Sequence, residues 1–150
     1  MELQEKIISV INENRTPSET PEGAEPLELD FINYISRTTL FPPKLYPAVI
    51  IDEEPFNFGQ GDSAEVYGSS QECTLYLLIE CKNLNVMTEE EYKTYKQDLN
   101  TKIKQILDKL TVKIRGINFG RGENYMTLIE GNPVMTMIVP IKALIINKKS

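Results

Sequence analysis

The chain has 150 residues, 41% hydrophobic and 25% charged, with 16 basic and 22 acidic side chains, a net charge of −6 and no histidine. That describes one globular domain long enough to bury a core of its own. The acidic balance argues against a nucleic-acid or anionic-lipid binder, and the missing histidine removes the commonest general base and metal ligand.

Residues 2–14 read as a short amphipathic helix. Leu3, Ile7, Val10 and Ile11 share one face, and Glu2 and Glu5 suit the N-terminal end of the helix dipole. A helix this short is unstable alone, so it must dock on its own domain or on a neighbour. The same stretch is too polar and acidic for a secretory signal, and the longest apolar run, Leu75 to Ile79, is far short of a membrane span. Residues 15–28, RTPSETPEGAEPLE, form a Pro- and Glu-rich arm or loop that Pro17, Pro21 and Pro26 keep from being helical. It is either a plain linker or a partner-binding arm.

Residues 29–41 fit a short helix or a strand, and Pro42-Pro43 ends either one. Residues 46–53 predict a strand rich in β-branched side chains. The segment 71–82 predicts a long strand, with Cys73, Leu75, Leu77, Ile79 and Cys81 on a core side and Thr74, Tyr76 and Glu80 on a more polar side. The two cysteines would then stand about 26 Å apart, beyond disulfide reach, and serve as small buried hydrophobes.

Residues 89–110 predict the main helix. Thr88 and Glu91 have capping-box spacing, and Tyr92, Tyr95, Leu99, Ile103, Ile106 and Leu110 form one apolar stripe. Three strands follow at 112–119, 125–130 and 134–146, the last two joined by a turn at Glu130-Gly131-Asn132-Pro133. Pro140 lacks a backbone donor, which places it at a sheet edge or a bulge. The expected fold is a single α+β domain over 1–150: a mostly antiparallel sheet of about four to six strands packed on one long helix, with the short N-terminal helix added.

Residues 57–63, NFGQGDS, and 118–124, NFGRGEN, are near-copies. A phosphate loop would need a helix directly after the glycines, yet both units run into strand, and Asp62 and Glu123 would repel a phosphate. Asp62 and Glu65 offer oxygens for calcium, but without a dense carboxylate set. The units read instead as two hairpin-type bends anchored by Phe58 and Phe119, with Asp62, Arg121 and Glu123 at their tips. Asp52-Glu53-Glu54 is the densest carboxylate cluster and reads as a solvated strand end. No nucleophile elbow or Cys–His pair exists, so no catalytic residue, cofactor or metal is assigned and the chain reads as a non-enzyme.

Tyr46-Pro47-Ala48-Val49-Ile50-Ile51, then a glycine-rich bend, a long alternating strand, a long helix and a closing antiparallel set follow one another over residues 40–146. This layout resembles the tail terminator, or tail completion, proteins of tailed bacteriophages and related contractile injection systems. The resemblance implies a virion protein of the tail or neck, assembled in the bacterial host's cytoplasm. Such proteins form a ring, usually a hexamer, that caps the tail tube, stops its polymerisation and meets the head–tail connector. DNA passes through the ring without being read, and there is no membrane partner. In such a ring the residues themselves suggest as interface candidates Pro140 and Lys142 on an edge strand and Asp62, Arg121 and Glu123 on the glycine bends, which would line the bore or face the tube. The competing reading is a small cellular α+β binding or adaptor module without catalytic activity.

Overall fold

The computed structural model describes residues 2–15, 27–53 and 69–145. Helix α1 spans Leu3–Glu13, strand β1 Tyr34–Ser36, β2 Ala48–Glu53, β3 Ser69–Glu80, helix α2 Glu89–Lys113, β4 Ile117–Phe119, β5 Glu123–Ile129 and β6 Asn132–Ile145. The strands form one sheet ordered β1-β2-β3-β6, with both β4 and β5 on the far side of β6. The sheet is mixed rather than mostly antiparallel: β1 runs parallel to β2, while the other pairings are antiparallel.

Its spine is the β3–β6 pair, twelve residues long, from Ser69 opposite Ile145 to Glu80 opposite Val134. Period-two alternation sends Cys73, Leu75, Leu77 and Ile79 of β3 and Met135, Met137, Val139 and Ile141 of β6 to one face. Both helices cover that face. Leu99, Ile103, Ile106 and Leu110 of α2 and Leu3, Ile7 and Ile11 of α1 complete a single buried cluster there. Each such aliphatic side chain contributes about 1.5–3 kcal/mol of transfer free energy. Helix α1 therefore docks on its own sheet. Gln4 helps to hold it, donating from Nε2 to the Ile51 carbonyl at 2.8 Å, while Leu3 N–H donates to Gln71 Oε1 at 2.7 Å.

The capping box at α2 is present: Glu91 N–H donates to Thr88 Oγ1, and the Glu91 side chain accepts from Thr88 N–H. The stripe is shifted, however. Tyr92 is exposed with Lys96 over its ring, and Ile114 joins the buried cluster. The i, i+4 step from Leu110 to Ile114 keeps the apolar face turning, so the helix runs on through Val112 and Lys113 where a strand was expected. Gly116 (φ 76°) ends the turn after it, which leaves only Ile117–Phe119 as strand. Residues 29–41 resolve into a turn closed by the Asp30 carboxylate, which accepts from Leu27 N–H, and the short strand β1. Leu29 N–H donates to the Asn14 carbonyl, and residues 16–26 of the Pro/Glu-rich arm lie outside the described residues. The β5–β6 hairpin turns on Glu130 (φ 51°) and Gly131 (φ 83°), and Asn132 and Pro133 already belong to β6.

Candidate functional site

The second glycine unit is not a hairpin bend. Strands β4 and β5 lie end to end along the same side of β6, Phe119 opposite Ile141 and Glu123 opposite Ile138. Three residues, Gly120, Arg121 and Gly122, therefore face two, Val139 and Pro140. That is a β-bulge, one extra residue in an otherwise continuous strand. Gly120 N–H donates to the Pro140 carbonyl at 2.8 Å. A Cβ on Gly120 would meet the Pro140 ring at 3.1 Å, and one on Gly122 would meet Met137 Sδ at 3.2 Å. Close approach to β6, not positive φ, is what requires these two glycines. Phe119 is half-buried against the main core.

Pro140 consequently sits in a central strand, not at an edge, and it marks the bulge. The amide and carbonyl of a strand residue point to the same neighbour, and the Pro140 carbonyl points at β4. Its hydrogen-free nitrogen thus faces the bulge, and the β3–β6 ladder loses nothing. Lys142 is exposed two residues on and pairs with Glu72, directly opposite on β3, at 3.4 Å. Together with Asn118, Gly120 and Pro140 these two line a depression of about 340 Å³. Arg121 is exposed at the tip of the bulge and Glu123 is exposed at the start of β5. Four of the five expected interface residues therefore gather around one end of the β4–β5 junction. Asp62, with Phe58, Glu65 and the rest of the first glycine unit, lies outside the described residues, as does Glu54.

A larger feature lies on the sheet face away from the helices. Ala48, Ile50, Leu78 and Val134 are buried there, fringed by Tyr34, Tyr46, Tyr76 and Ile129. Residues 39–43 arch over this face and leave a groove of about 560 Å³ between Phe41 and Pro42 on one wall and Tyr125 and Ile129 on the other. The loop is pinned at its start by Asp52, whose Oδ2 accepts from Thr39 N–H and Oγ1 at 3.4 and 3.3 Å. Its apolar residues are left in water: Leu40 is 81% exposed and Phe41 68%. Thr136, in the floor, is 1% exposed, yet its hydroxyl has no hydrogen-bonding partner among the described residues. Alternation in the final strand was legible, but the loop that walls the groove is a tertiary feature with no local signal.

Burial raises the pKa of the Tyr46 phenol, and the charges of Glu80 and Glu130 raise it further. Burial likewise raises the Cys81 thiol, against a lowering by a backbone hydrogen bond at Met135, so that the thiol stays protonated. Cys73 and Cys81 are both buried on the helix-covered face. Among the described residues no three His, Cys, Asp or Glu side chains converge as metal ligands, and no helix is long and apolar enough to cross a membrane. No protein-family model matches the chain, and no curated protein matches it.

Proposed function

We propose that this chain is a structural subunit of a phage tail or phage-like machine, a tail terminator whose copies close into a ring on the end of the tail tube. The observation that carries this reading is the form of the sheet, which among the described residues ends in two different edges, β1 on one side and β4 with β5 on the other. A closed head-to-tail ring needs two unlike patches on every copy. Unpaired strand edges are the readiest patches a sheet protein can offer. Six copies would follow the proteins that the layout resembles. The tube protein and the head–tail connector would meet the remaining faces, and DNA would pass the acidic chain without being read.

The mass of the purified chain, alone and with polymerised tail tube, tests this. Annular particles, at least in the presence of tube, are the expected result. A chain that remains a single subunit beside tube would end this reading. The groove favours a second reading, an adaptor module that takes an apolar segment, since its volume falls within the range of ligand sites, roughly 300–1,000 Å³. A monomer that binds a peptide in that groove would support it.

A further inference from the structure

The two outer edges of the sheet match each other in more than availability. The direction of each backbone group follows from a single bond. The Pro140 carbonyl faces β4, so the even-numbered residues of β6 face β4 and β5 and the odd-numbered ones face β3. Register then passes this parity across the sheet. In β5, Glu123, Tyr125, Thr127 and Ile129 bond to β6, and Asn124, Met126 and Leu128 point their amides and carbonyls outward. In β3, the residues opposite Ala48, Ile50 and Asp52 bond to β2, which leaves Val49 bonding to β1. Val49 lies opposite Ile35 in a parallel pair, so it bonds to the flanking Tyr34 and Ser36, and Ile35 points outward.

Three conditions for joining the edges are met at once. First, β5 runs opposite to β1 within the sheet, so copies set side by side in the same orientation meet antiparallel. Second, Met126 and Ile35, whose backbone groups point outward, both pack on the rim of the helix-covered cluster. Directly opposed residues in an antiparallel pair share a face, so both copies keep their helices on the same side. Third, the charges differ. Exposed Glu123 and Glu130 flank the β5 edge, whereas Arg37 and the half-exposed Arg15 flank the β1 edge. Pairing β5 with another β5 would instead bring Glu123 toward Glu130 of the second copy.

We propose that β5 of one copy pairs antiparallel with β1 of the next, Met126 opposite Ile35, so that the sheet continues from subunit to subunit. This rests on the ring reading and supplies its joint. Thr127 then faces the next copy's Tyr34 on the open face, and Asn124 faces its Arg37 on the helix-covered face. Both apolar layers run across the seam.

The test is Asn124→Pro in the full chain. The amide it removes points outward, and proline is tolerated in an edge strand where its missing donor would face solvent. The variant should unfold near the wild-type midpoint and lose about tenfold or more of its ring population at fixed concentration. A second pair of chains tests the partner edge: Glu123→Lys with Glu130→Lys in one, and Arg15→Glu with Arg37→Glu in the other. Each alone should assemble poorly, and an equimolar mixture should recover rings of alternating copies. Wild-type rings that persist in Asn124→Pro and in both charge variants would overturn this joint and leave the ring reading standing. Particles that stop at two copies and vanish in Asn124→Pro would assign β5 to self-pairing and overturn the role of β1. A wild-type chain that never assembles would overturn the joint and the ring together.

Discussion

The two faces of the sheet are made from alternate residues of the same strands, yet they are finished differently. On one face, Leu75 and Leu77 of β3 and Val139 and Ile141 of β6 lie under two helices in one continuous cluster. On the other, among the described residues, Ile50, Leu78 and Val134 are covered by three tyrosines, Ile129 and the 39–43 loop, beside a groove. The helix-covered face is closed, so its contacts go to stability. Among the described residues, the open face is more apolar than a fully solvated surface and more thinly covered than the helix-covered core. The difference predicts that side chains on the two faces contribute unequally to stability.

The largest effect should come from truncating neighbours that point to opposite faces. Leu77→Ala removes a fully buried side chain from beneath the helices, and about 2–5 kcal/mol of unfolding free energy should be lost. Leu78→Ala empties a site beside the groove, where the loop can settle and water can enter, so its cost should fall at or below about 2 kcal/mol. Urea midpoints of the two variants measure the contrast. Equal losses would mean that the open face is as much a core as the other.

The next test concerns the bulge that ends the open face on the β4 side. Gly120→Ala puts a methyl 3.1 Å from the Pro140 Cβ, and overpacking of this kind costs about 1–3 kcal/mol. Pro140→Ala in the same chain removes the ring Cγ that the new methyl would meet at 3.2 Å but keeps the Cβ at 3.1 Å, so it should recover only part of that loss. A double variant no more stable than Gly120→Ala would show that the ring atoms beyond the retained Cβ contribute nothing to the strain.

A smaller effect, opposite in sign, is expected at Thr136. Its buried hydroxyl makes no hydrogen bond among the described residues, so Thr136→Val should stabilise the isolated chain by about 1 kcal/mol, or roughly 2–4 °C in Tm. If a partner occupies the groove and satisfies that hydroxyl, the same change should weaken the complex. An isolated chain destabilised by the substitution would mean that the hydroxyl has a partner in solution.

The contrast between the faces was only partly legible in the sequence, and the missing part has one cause. The alternation of Cys73 to Cys81, the Thr88–Glu91 box and the stripe from Leu99 to Leu110 depend on neighbours within a few residues, and each appears in the structure. The helix end was misplaced because Val112 and Ile114 are β-branched, a weaker influence than the i, i+4 continuation of a stripe already docked. The parallel β1–β2 pair, the central place of β6 and the conversion of the second glycine unit into a bulge all depend on which strand lies beside which. No local pattern carries that information. Pro140 shows the limit well: its missing donor implied an edge or a bulge, and only the position of β4 decides between them.

The smallest expected effect compares an ion pair on each side of the sheet. Lys82 Nζ lies 2.6 Å from Glu91 Oε2 and ties the end of β3 to the first turn of α2, whereas Lys142 and Glu72 are 3.4 Å apart across the open face. The hydrogen bond to Lys82 lowers the Glu91 carboxyl, and the bond to Glu91 raises the Lys82 ammonium. Glu91, being depressed, contributes stability above the usual carboxylate range that disappears as pH falls through its folded pKa. Lys82, being raised, contributes stability below the usual lysine range that disappears as pH rises through its folded pKa. The difference in stability between the wild type and Lys82→Met should therefore be flat between about pH 5 and 9, and shrink below about pH 4 and above about pH 10.5. Both groups are open to water, so the plateau should be small and should diminish with added salt. A difference that ignores pH would mean that Lys82 acts through the packing of its aliphatic stem, and the helix-covered side would then owe nothing measurable to this charge pair.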